Sequence, residues 1–448
     1  MIYSIRSVKD QAHKKLKVSQ LNHNEELPSV HVSEQRSRNE DCRIENLNSP
    51  NPRQRSQAVQ ELGKLKADYA VPNLITLLKE DVNTYVRSAA AEALGHIGHH
   101  DAVFPLMDAL HDPCSFVRRA AAIALGQMQA KEAQAALLNA LEDGNFYVRR
   151  AAINAIGKLG IPDMSAVLLP LLDTPDLRIR RTVIIALRRL NAQEAAPKMI
   201  EMLKAYLVSP SQRDLPVVKT LVVAIGDLCP PDAISVLADI VRGYVGARSL
   251  AASAIGEIGR PEGGPVLVEA LADKSINLKL AALKSLGRIK YRPALPAVRE
   301  FLTSPDPRLR RTAALTVGNL RDTTAIPTLL AMAYDDSSPL VRPAAIEALG
   351  ILGDKALIPQ LLPLVDDTNA YLRAALAHTL SSLDGTTPEV QVALKKLARD
   401  QVEHVAFAAQ RALNACDRKN GRRPPEPEAC PEPTPKQLSW LRRFLGRA

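Results

Sequence analysis

Residues 147–160 read YVRRAAINAIGKLG, residues 116–129 read FVRRAAAIALGQMQ, and residues 85–98 read YVRSAAAEALGHIG. The three lines are one sentence rewritten every 31 residues. Aligned on the basic residue that follows Val, Leu or Ile, twelve slots run along the chain: Arg55, Arg87, Arg118, Arg149, Arg180, Val218, Arg248, Lys279, Arg310, Arg342, Arg373 and Ala406. Eight residues after most slots stands a glycine, from Gly63 and Gly95 to Gly318 and Gly350, with Arg188 in its place in repeat 5. Six residues before seven of the slots stands an aspartate: Asp81, Asp112, Asp143, Asp273, Asp336, Asp367 or Asp400.

In repeat 2, Val86, Ala90, Leu94 and Ile97 recur with the spacing of one helical face. The aspartate ahead of that helix is expected to cap its free amides and complement its dipole. The glycine near its end is expected to permit close packing or a left-handed stop. A second apolar-periodic segment lies upstream, as in VPNLITLLKED at 71–81. Prolines recur there at Pro265, Pro296, Pro327 and Pro359, suited to a first helical turn. Each repeat is thus predicted to be two helices in about 31 residues. No repeat buries its apolar faces alone, so stacking must supply the core.

The pattern D-x-x-x-x-V-R-R-A-A-x-x-A-L-G-x-x-G resembles the HEAT repeat, in the short phycobilisome-lyase HEAT-like variety. The resemblance covers residues 46–416 and implies an all-α fold, an α-solenoid of about twelve two-helix repeats. It also implies a ladder between neighbouring repeats, here carried by Asp112, Arg118, Asp143 and Arg149, and a concave side lined by the second helices.

Function is then sought in letters that vary and face solvent. The residue after the slot is a cation in four successive repeats: Arg119, Arg150, Arg181 and Lys219. One turn on stand Ile123, Asn154, Ile185 and Val223, and Lys158 and Arg189 extend the basic stripe. Together they predict a basic, partly apolar groove for an acidic or amphipathic protein segment. Tyr85, Phe116 and Tyr147 stand two residues before their slots and are expected to lean on the neighbouring repeat. The slots of repeats 5 and 6 lie 38 residues apart, which predicts a longer loop or an added helical turn within 203–216. His96 and His100 share a helical spacing, but the turn at Gly98 spoils a metal site.

Composition bounds the rest. The net charge is +10, with +1 in residues 1–45 and +4 in residues 417–448, leaving +5 for the repeats. That is too modest for a dedicated nucleic-acid binder, so nucleic acid ranks third among partners. Five scattered cysteines without a C-x-x-C pair fit a reducing compartment. The first residues lack a signal peptide's apolar run, and the expectation is a soluble, cytoplasmic protein.

Residues 1–45 read as a polar, mostly disordered segment and 417–436 as a stiff Pro/Glu-rich linker. In 437–448, Leu438, Trp440, Leu441, Phe444 and Leu445 fill one arc of a helical wheel, with Arg442 and Arg443 on the other. A helix so short folds on something else. A weak contact with an anionic membrane surface, a partner or the array itself is expected.

No phosphate loop, nucleophile elbow or paired carboxylates appear. Deoxyhypusine hydroxylase, on a similar fold, ligates iron through His-Glu dipeptides. This chain has none, only the reverse pair Glu403-His404. The reading is a non-enzymatic interaction scaffold with no cofactor. The alternative is a bilin lyase or chromophore-handling factor, with bilin as its ligand.

Overall fold

The structure, a computed structural model, describes residues 43–209 and 211–419. The expectations for residues 1–42, the linker beyond 419 and the tail residues Leu438, Trp440, Leu441, Arg442, Arg443, Phe444 and Leu445 lie outside these. The described residues form α-helices and 3-10 turns, with no strand among them.

The second helix of each repeat is continuous. In repeats 2 to 5 these helices are Thr84–Ile97, Ser115–Met128, Phe146–Leu159 and Leu177–Arg189. Asn83 and Asn145 cap two of them, accepting from the amides of Tyr85 and Tyr147 at 2.9 Å. The repeated aspartate does not cap, contrary to the expectation. Asp81 accepts instead from the amide of Asn83, at 2.8 Å, and so shapes the turn ahead of the cap. It lies two residues too early to reach the helix amides. Most of these helices stop on a left-handed residue, a glycine at Gly98 (φ +82°) but Gln129 (φ +52°) one repeat on.

The first helices are mostly shorter, and some are broken. Val103–Asp108 and Gln134–Asn139 each sit between two 3-10 turns, entered through His100–Ala102 and Lys131–Ala133 and left through Ala109–His111 and Ala140–Glu142. Pro265, Pro296, Pro327 and Pro359 all lie in the first turns of their helices.

Stacking proceeds through the second helices. Val86, Ala90 and Leu94 are fully buried, as are Val117, Ala121 and Leu125 in the same register. Each buried Val or Leu contributes about 1.5–3 kcal/mol of transfer free energy. The repeated glycine lets the backbones meet. A Cβ at Gly126 would lie 2.7 Å from the Cα of Ala155, and one at Gly157 would lie 2.7 Å from the Cα of Ala186. Of the two roles open to this glycine, close approach is the one it fills, since the left-handed stop falls three residues later.

The chain forms two compact units, Met1–Ala192 and Gln193–Ala448. The boundary in the sequence falls between the slots whose spacing is lengthened. The extra residues there extend one first helix, Ala196–Val208, well past the length of its counterparts.

Candidate partner-binding face

Most of the slot arginines are held within the array. In the first compact unit Arg55, Arg87 and Arg118 bind Asp81, Asp112 and Asp143 of the following repeat, with Nε–carboxylate distances of 2.7, 2.8 and 2.7 Å. Each also donates from Nη1 to a carbonyl of its own repeat's turn, as Arg118 does to Asp112 at 2.8 Å. Arg149 keeps the turn contact, at 2.7 Å to the carbonyl of Asp143, but the next repeat offers Thr174 where a carboxylate would stand. In the second compact unit Arg248, Arg310, Arg342 and Arg373 pair with Asp273, Asp336, Asp367 and Asp400. The bond from Arg118, outweighing burial, holds the Asp143 carboxyl below its ordinary range. At Asp112 burial is the largest influence and pulls upward, but Arg87 and the amide of Cys114 together carry the carboxyl lower.

The residues one position further on are different. Arg119 and Arg150 are half-buried and Arg181 is exposed, on three successive second helices. Ile123, Asn154 and Ile185 are half-buried in the same order, one turn along. Neither isoleucine belongs to the core. Lys158 is half-buried and Arg189 exposed. In the second compact unit Lys219 and Val223 occupy the same registers on Leu215–Leu228, both half-buried. Among the described residues no carboxylate forms an ion pair with Arg119, Arg150, Lys158, Arg181, Arg189 or Lys219. The arrangement can bind and orient an anionic chain, and it holds no paired acid and base.

The aromatic residues correct the sequence reading. Tyr85, Phe116 and Tyr147 are 74, 58 and 51% exposed and do not bury themselves on the neighbouring repeat. At the histidines, the helix ends at Ile97, and His99 faces Asp101 at 3.7 Å.

One feature was missed. In the second compact unit the same registers line a groove of about 880 Å³, with Leu280 and Arg311 from the first and Ser253, Lys284 and Leu315 from the second. Arg288 pairs with Glu257 within it. Glu347 continues the second register, and burial pushes its carboxyl up to about 7 against the pull of Arg311. Following the second register past Val223, to Ser253, Lys284 and Leu315, would have found this stretch.

The sequence matches the model for HEAT repeats in overlapping stretches that span residues 42–208 and 243–414. The chain belongs to the HEAT-repeat family. Among solved structures, importin beta aligns with a TM-score of 0.60 at 15% identity, over 96% of this chain and 66% of importin beta. Kap95p, whose binding induces the switch loops of RanGDP to adopt the GTP-bound conformation, aligns at 0.54 and 13%, over 90% of this chain and 63% of its own. The Kap95:Nup1 complex aligns at 0.53 and 15%, over 90% and 63%. The chain thus spans less than two thirds of the length of these proteins, and at such identities the likeness shows the fold. No curated protein sequence matches the chain. No helix among the described residues is long and apolar enough to cross a membrane.

Proposed function

We propose that this protein is a non-enzymatic protein-binding scaffold, and that the second-helix face of repeats 3 to 5 holds an acidic, amphipathic segment of its partner. The observation that carries the reading is the contrast between adjacent registers. In the slot register Arg118 is spent on Asp143 inside the array and Arg149 on the carbonyl of Asp143, whereas among the described residues Arg119, Arg150 and Arg181 form no ion pair. Second helices in contact lie about 8–10 Å apart, so the three cations form a row that a chain of carboxylates can follow. Ile123 and Ile185 give the same face an apolar component. Solenoids of this fold engage proteins, as the Kap95:Nup1 complex does. Lys219 and Val223 repeat the pattern in the second compact unit.

The test is affinity purification from the source cells with wild type and with the Arg119→Glu/Arg150→Glu/Arg181→Glu variant. The variant's thermal unfolding serves as the control for folding. Loss of one protein from the variant's eluate supports the scaffold. Identical recovery with both chains removes the arginine row from the account. A visible pigment band in the eluates would put the chromophore-handling reading first, and a steeply salt-dependent nucleic acid would put that partner class first.

A further inference from the structure

Two residues before their slots, the second helices of repeats 1 to 5 carry Arg53, Tyr85, Phe116, Tyr147 and Arg178. Both arginines are exposed, and the three rings between them are more than half exposed. Side chains of this size ordinarily fill cores. Here three successive repeats hold one at the rim, in one register, bounded by a cation at each end. The guanidinium of Arg150 lies 5.7 Å from the centre of the Tyr147 ring, and that of Arg178 lies 4.1 Å from the centre of Phe146.

The aromatic row runs beside the basic row. Phe116 and Arg119 are three residues apart on one helix, as are Tyr147 and Arg150, so each pair shares a face. The step along the row is the helix spacing, about 8–10 Å, held short by the glycine contacts. A polyproline II strand rises ~3.1 Å per residue with three residues per turn, so every third residue returns to one face after ~9.3 Å. A β-strand returns to a face after two residues, roughly 7 Å. The row's period fits the first of these.

We propose that this row takes an extended, proline-rich acidic segment. Prolines at every third position stack on Tyr85, Phe116 and Tyr147, and carboxylates between them reach Arg119 and Arg150. Such a segment is already extended before it binds, so little conformational freedom is lost on docking. The inference rests on the reading of this face as a protein-binding one and names the partner's chemistry.

The test uses the full chain and two fluorescein-labelled peptides, (Pro-Pro-Glu)4 and (Gly-Ser-Glu)4, matched in length and charge and compared by anisotropy. The expected result is at least tenfold tighter binding of the proline peptide. That preference should disappear in the Tyr85→Ser/Phe116→Ser/Tyr147→Ser variant, whose changes lie at exposed positions. It should survive Phe104→Ser, an exposed ring on a first helix. Equal binding of the two peptides, or an unchanged preference in the triple variant, overturns the inference. If arginine reversal still costs the chain its cellular partner while the peptides bind alike, the scaffold reading stands and this inference alone falls. If arginine reversal changes nothing and the proline preference persists, the aromatic row stands without the arginine row.

Discussion

Arg118 grips Asp143 of the next repeat through both Nε and Nη2, at 2.7 and 3.0 Å, while its Nη1 holds the carbonyl of Asp112 in its own. One side chain thus ties two turns together. Asp143→Asn removes the charge from a pair that is 19 and 10% exposed at its two ends. The expected cost is about 1.5–3 kcal/mol, seen as a lower urea midpoint. It should appear first as faster amide exchange at Asn145 and its neighbours.

Arg149 offers the converse. Thr174 stands 25 residues on, the separation at which Asp112 and Asp143 meet Arg87 and Arg118. Thr174→Asp should restore the missing rung and raise stability by up to about 1 kcal/mol. In Arg149→Ala the same substitution should give no gain, which a double-mutant cycle measures.

The pH dependence has two sides. Asp81, Asp112 and Asp143 have folded pKa values below those of the unfolded chain. Their contribution is present above the unfolded value and is lost as pH falls through the folded one, so it fails in acid, below about pH 4. Glu347 runs the other way, since burial raises its carboxyl to about 7. The folded state then binds the extra proton, and stability declines as pH rises from about 4.5 to 7. Glu347→Gln should stabilise by roughly 1–2 kcal/mol at pH 8, discounted for partial exposure, and by little at pH 4. A gain that does not grow with pH would show that Glu347 titrates normally.

Two glycines separate packing from composition. At Gly126 an added methyl meets the Ala155 backbone at 2.7 Å, whereas at Gly144 nothing lies within 4 Å. Gly126→Ala should destabilise by about 1–3 kcal/mol through overpacking. Gly144→Ala should be neutral or slightly stabilising. Thermal midpoints of the two variants decide it.

The fold was legible because its evidence is repeated. The four-residue spacing of Val86, Ala90 and Leu94 returns at Val117, Ala121 and Leu125, so no single position has to be read correctly. The second-helix registers of Arg119, Arg150 and Arg181 were legible for the same reason. What was not legible leaves no mark in the repeated letters: the 3-10 turns that break some first helices, and the exposure of Tyr85, Phe116 and Tyr147, apolar rings that a sequence reading places against a neighbour. The aspartate's turn-forming role was misread because a carboxylate before a helix usually caps it. Here the cap, Asn83 or Asn145, stands two residues later.

The seams between the second helices of repeats 2, 3 and 4 are built alike at the glycine, and the rungs from Arg87 and Arg118 are alike too, which bears on inheritance. Excising residues 112–142 would set Asp143 opposite Arg87 and Ala155 opposite Gly95, both partners of the kind now present. A recombination event of that length would lengthen or shorten the array without requiring a new interface to evolve. Phe116 and Arg119 would leave together in the same event, so the reach of the binding face would change in whole steps, each removing one ring and one cation.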